Sequence, residues 1–184
     1  MYSLDSGWLT PAEQLASPNF NQRPEGAVVS LLVVHCISLP PNEFGGPWIR
    51  DFFCNSLDCS AHPYFQKISE LQVSSHFFIE RSGHIVQFVA TGDRAWHAGQ
   101  SSFDGVADCN NYSIGIELEG CETKPYTDEQ YLALSKLSRC LMSYYSDISP
   151  ERICGHSDIA PGRKTDPGPL FDWSYFRQLL ANNE

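Results

Sequence analysis

Positive charge is scarce in this chain: 12 Lys and Arg stand against 22 Asp and Glu, for a net charge of −10 over 184 residues. A polyanion is repelled by such a surface, and phosphate contacts need clustered Lys and Arg, so nucleic acid is excluded as a partner. The same balance disfavours an anionic membrane face. Also missing is any apolar run of about 18 residues, so no bilayer-spanning helix is expected. The N-terminus, Met1 to Thr10, has neither a basic start nor an apolar stretch, which excludes a secretory signal and predicts a cytoplasmic protein. Seven cysteines are present without a C-x-x-C pair, an odd number that argues against a disulfide framework and for free thiols in a reducing compartment.

No repeat or composition break divides the chain. Its length fits one domain spanning residues 1–184, with 1–27, rich in Pro, Asn and Ser, read as an irregular arm packed on it. Val28 to Val34 is a continuous β-branched run, the mark of a strand buried on both faces. Phe44 to Phe53 has the spacing of a short amphipathic helix. Two apolar runs, Val73 to Ile79 and Ile85 to Val89, flank Arg81-Ser-Gly83 and predict a hairpin. Tyr112 to Leu118 alternates as a strand. Thr127-Asp-Glu-Gln130 is a capping box opening a helix to about Tyr145, Arg152 to His156 a short strand, and Asp172 the cap of a last helix. Strands and helices interleave, which predicts an α/β fold with a mixed central sheet flanked by helices.

Two of the six histidines occupy telling positions. His35 immediately follows the first buried run, and His156 opens a segment to Gly168 that carries Asp, Arg, Lys and Asp between Pro and Gly residues. Such a loop is too polar for a core and too constrained for a linker, and loops of that kind carry sites. His35, His156 and Asp166 would make a three-ligand zinc set with one open position if strand end and loop meet in space. Chemistry alone does not choose between Glu117 and Glu119, which share a strand face. His76, among Phe residues, reads as a buried structural histidine; His62 and His84 read as surface or turn residues, and His97 is left open. Strand alternation points Cys36 away from what His35 faces, so Cys36 and Cys154 read as packing residues.

Five motifs occur in order: Val33-Val-His35-x-Ile-Ser, Ser75-His76-Phe-x-Ile-x-Arg-x-Gly83, Ala95-Trp-His-Ala-Gly99, Ser113-Ile-Gly-Ile-Glu-Leu-Glu-Gly120 and Gly155-His-x-Asp-Ile-Ala-Pro-x-Arg-Lys-Thr-Asp-Pro-Gly168. From about Gly7 to Trp173 the chain resembles the type-2 N-acetylmuramoyl-L-alanine amidases, relatives of the peptidoglycan-recognition proteins, in the branch that cuts anhydromuropeptides. The resemblance implies a zinc site in a surface groove, with His35, His156 and Asp166 as ligands of Zn²⁺. It implies Glu117 as the catalytic carboxylate and Lys164 as the catalytic lysine, with Trp96, Ala160 and Arg163 binding substrate. Trp96 would stack on sugar and Arg163 would pair with a stem-peptide carboxylate.

The implied substrate is a 1,6-anhydro-N-acetylmuramyl peptide recovered in a Gram-negative cytoplasm. Its removal would keep β-lactamase induction low, and no obligate protein partner is evident. Two positions depart from the branch: Cys36 stands where Asn is usual, and Gln72 where Arg is common, both at expected substrate contacts. Members of the recognition branch keep the groove but lose a metal ligand, whereas all three are present here. A closed structural zinc site would need four ligands, usually with closely spaced cysteines, and that spacing is absent.

Overall fold

The computed structural model describes residues 2–182, so Met1, Asn183 and Glu184 of the expected domain lie outside the described residues. Its centre is a six-stranded sheet of β1 (Glu13–Gln14), β2 (Leu31–Ile37), β3 (Phe77–Ile79), β4 (Ile85–Gln87), β5 (Ser113–Glu119) and β6 (Ile153–Gly155), in the order β6-β2-β5-β3-β4-β1. The pairs β6–β2, β2–β5 and β5–β3 are parallel, while β3 and β4 form the expected antiparallel hairpin. The arm is more regular than its composition suggests: it supplies edge strand β1, pairs Ser3–Asp5 with Trp8–Thr10, and pairs Phe20–Gln22 with Asp93–Ala95.

Alternation along β2 sends Leu32 and Val34 to one side, and Leu31, Val33 and His35 to the other. The first side is closed by α3 (Asp128–Tyr144) and α5 (Trp173–Ala181), whose Leu134, Leu137, Leu141 and Phe176 are fully buried. The capping box at Thr127 forms as predicted: its Oγ accepts from the Gln130 amide, and the Gln130 side chain accepts from the Thr127 amide. Asp172 caps α5 by accepting from the Tyr175 amide at 2.9 Å. The second side carries α1 (Trp48–Phe53), α2 (Pro63–Ile68) and the one-turn α4 (His156–Ile159). No helix among the described residues is long and apolar enough to cross a membrane.

The hairpin strands are shorter than their apolar runs, Phe77–Ile79 and Ile85–Gln87, and two further boundaries differ from expectation for local reasons. The run beginning at Val28 becomes strand only from Leu31, and it continues through His35 to Ile37, because β5 offers partners as far as Glu119. The helix expected from Phe44 starts at Trp48, since Gly45 and Gly46 take left-handed backbone conformations that a helix does not admit.

Candidate metal centre and active site

In sheets with parallel strands, the crevice beyond the carboxyl ends is where ligands bind. Here β2, β5 and β6 run the same way, so His35, Glu117 and His156 arrive at one edge, with Glu117 in direct register with His35. The loop after α4 returns to the same place. Ser157 donates its amide to the Asp166 carbonyl at 3.0 Å, and Tyr126 donates its hydroxyl to the Pro167 carbonyl at 2.7 Å. Gly155 allows that return, because a Cβ there would stand 2.8 Å from Cδ of Pro167.

The result is a triangle. His35 Nδ1 lies 2.9 Å from His156 Nδ1, and each lies 3.1 Å from Asp166 Oδ2. These edges fall slightly short of the roughly 3.3 Å that tetrahedral bonds of about 2.0–2.1 Å require, so small movements would seat a zinc ion. Two imidazoles and a carboxylate are a zinc donor set, and the three are the one such cluster found among the described residues. The outer nitrogens are also committed, His156 Nε2 to the Ala98 carbonyl at 3.1 Å and His35 Nε2 to His97 Nδ1 at 2.9 Å. Each ligand ring is therefore held in place from behind.

Electrostatics fit this donor role. Burial lowers the His35 pKa to about 4, so the ring is neutral and its lone pair available. Burial also works against charge on Asp166, but His156 and His35 outweigh it and hold its carboxyl well below the usual range. The thiols do not compete. Burial pushes Cys36 and Cys154 up to about 12, against the thiolate form that binds metal. Cys154 packs in the core with Leu31 and Val33. Cys36 packs against the opposite side of the sheet from His35, as alternation predicts, yet its strand-end position also brings it to the groove wall.

A groove of about 580 Å³ opens beside the triangle, lined by His156, Asp166, Glu117 and Lys164 together with the apolar Phe52, Tyr64 and Ile68. Glu117 keeps partial exposure to it, while its Oε2 is enclosed and has no hydrogen-bond partner. Burial pushes that carboxyl well above its ordinary pKa, and the Asp166 charge adds to the effect. Lys164, exposed at the groove, opposes both. Glu119 is different: its carboxylate accepts from the Gly45 and Arg81 amides and serves as a structural tie.

Trp96 lines the groove, its indole N–H anchored on Asn21 Oδ1 at 2.7 Å. Ala160 is buried, with its carbonyl accepting the Arg163 and Lys164 amides at 3.1 and 3.0 Å. Arg163 is exposed and turns Nη2 to the Ala98 and Gln100 carbonyls at 2.7 and 2.6 Å. Neither Ala160 nor Arg163 lines the groove, and Gln72 faces a smaller neighbouring pocket. His76 is structural, accepting from the Gly115 amide at 3.0 Å, and His62 caps α2. His84 is an exposed residue paired with Glu13. The role of His97 behind His35 was not derivable from the sequence; its place beside Trp96 in Ala95-Trp-His-Ala-Gly99 was the available signal.

The layout is that of a hydrolase whose working residues sit at the carboxyl edge of a mixed α/β sheet. The chain belongs to the N-acetylmuramoyl-L-alanine amidase family, whose profile matches residues 25–169. It is 52% identical over 178 residues to the 1,6-anhydro-N-acetylmuramyl-L-alanine amidase AmpD of Escherichia coli strain K12, covering 97% of both chains. It is 50% identical to the protein of the same name from Haemophilus influenzae, covering 94% of each. The crystal structure of a selenomethionine derivative of AmpD superposes with a TM-score of 0.93 at 53% identity, over 96% of this chain and 98% of that one.

Proposed function

We propose that this chain hydrolyses the amide bond between 1,6-anhydro-N-acetylmuramic acid and the L-alanine of the stem peptide, using Zn²⁺ held by His35, His156 and Asp166. The observation that carries the reading is the convergence of two buried imidazoles and a carboxylate within 3.1 Å of one another, beside an enclosed carboxyl with no partner. Zinc in that position supplies Lewis acidity toward the scissile carbonyl and toward water.

The remaining steps belong to side chains. Glu117 takes a proton from the attacking water as oxygen bonds to the lactyl carbonyl carbon, then delivers it to the alanine nitrogen as the C–N bond breaks. A carboxyl whose proton affinity is raised by burial suits both halves of that shuttle. Lys164 places positive charge where the tetrahedral oxyanion develops. Trp96, anchored through its N–H, offers a flat wall to the sugar. Ala160 and Arg163 contribute to substrate binding by shaping the loop that carries Lys164 and Asp166.

We place the reaction in cytoplasmic peptidoglycan recycling. All seven cysteines are free thiols, which suits a reducing compartment. Consumption of anhydromuropeptides would lower β-lactamase induction. The decisive experiment is mass spectrometry of products from defined anhydro and reducing-end muropeptides, with and without a chelator. Release of free L-alanyl peptide from the anhydro substrate, abolished by metal removal while the fold survives, is expected. Undiminished cleavage after complete metal removal would refute the mechanism.

A further inference from the structure

An imidazole presents Nδ1 to a metal only when its proton sits on Nε2, and a buried Nε2–H needs an acceptor. Both acceptors in this protein come from adjacent residues. Ala98 offers its carbonyl to His156 at 3.1 Å, and His97 offers Nδ1 to His35 at 2.9 Å. For His97 Nδ1 to accept, His97 must carry its own proton on Nε2, which lies 3.1 Å from Ser113 Oγ. That hydroxyl is free to accept, because it donates its single proton to the Cys109 carbonyl at 2.6 Å. The links Cys109, Ser113, His97 and His35 thus order donors and acceptors in one direction, ending with a lone pair at the metal position.

The dipeptide itself is fixed. Asn110 Oδ1 accepts from the amides of both His97 and Ala98, at 3.1 and 2.8 Å. Space for the His97 ring is reserved by Gly115, where a Cβ would stand 2.4 Å from the ring's Cγ. His97 is no fourth ligand: it lies behind His35 and outside the cluster of three. We infer that His97-Ala98, clamped by Asn110, is a positioning element that sets the tautomer and orientation of both histidine ligands. His97 is thereby a determinant of zinc affinity. The inference rests on the zinc reading above.

Zinc affinity tests it directly, by competition with a chromophoric chelator, alongside thermal unfolding of each metal-free protein. His97→Leu keeps bulk but no acceptor and is expected to weaken zinc binding about 10- to 100-fold. His97→Asn places Oδ1 near the former Nδ1 and is expected to recover most of that loss, which a purely space-filling role would not produce. Wild-type affinity in His97→Leu, or equal weakening in His97→Asn at matched metal-free stability, would overturn the inference. Should either variant fail to fold, nitrogen-15 spectra of the zinc-loaded wild type still decide: an Nε2–H tautomer of His97 supports the relay, and an Nδ1–H tautomer sinks it. A wild-type protein that takes up no zinc would instead remove the zinc reading itself.

Discussion

Acid should unfold the metal-free protein well above the pH at which carboxylates titrate. Burial lowers His35 to about 4 and His76 to about 3, and holds His97 well below its usual range. Below about pH 6.5 the unfolded chain binds a proton at each of these rings while the native state does not, so stability rises with pH and is lost as pH falls. Glu117 works in the opposite sense. Its folded pKa is raised by burial, so the native state binds its proton more readily than the unfolded chain, which favours folding as pH falls. His35 and His76 together give an uptake of two protons on unfolding; His97 adds to it and Glu117 offsets it. Over the one and a half units from pH 6.5 to 5, at about 1.4 kcal/mol per proton per unit, the loss is about 4 kcal/mol. That is a large part of the 5–15 kcal/mol typical of a domain. Urea unfolding of chelator-treated protein at the two pH values measures it. A difference below about 1 kcal/mol would refute the assignment of the three rings as buried and neutral.

Glu117→Gln is expected to retain zinc and lose about 10²- to 10⁴-fold in turnover, read by product mass spectrometry; wild-type rates would place the base elsewhere. The same variant removes the opposing carboxyl, so its acid destabilisation over that pH window should exceed that of the wild type. Lys164→Met is expected to lose on the order of 100-fold or more in kcat with zinc content unchanged. Because Lys164 lowers the proton affinity of Glu117, its removal should also move the acid limb of the pH–rate profile upward; an unmoved limb would separate the two residues.

Legibility in the sequence followed the range of the interactions. The Thr127 and Asp172 caps are local and were readable as such, and so was the hairpin around Arg81-Ser-Gly83. The α2 helix is not legible because it buries only Phe65 and Ile68, too few apolar positions to set a period, though Pro63 after a capping His62 is a usable start signal. The end of β2 was misread because a histidine and a cysteine interrupt the hydrophobic run. Only the partner strand reveals that pairing continues through them. The contacts behind the proposed metal ligands join residues 35, 97, 98, 110 and 113, brought together by tertiary folding, and no local pattern encodes that meeting.

Glu117 and Glu119 show most clearly where sequence reading stops. They share a strand, a face and a charge, and spacing gives them equal claims to the proton-transfer role. The fold separates them by what their oxygens meet. Glu119, at the strand end, is consumed by the Gly45 and Arg81 amides, bonds that tie the neighbouring loops to the sheet. Glu117, two residues earlier and in register with His35, has an enclosed oxygen without a donor, and burial, with the Asp166 charge, raises its proton affinity. Both oxygens of Glu119 are thus committed to anchoring loops. Glu117 has an oxygen free of such ties and lies beside the His35, His156 and Asp166 cluster. What separates Glu119 from the glutamate proposed as base is a count of N–H groups, and the fold alone supplies that count.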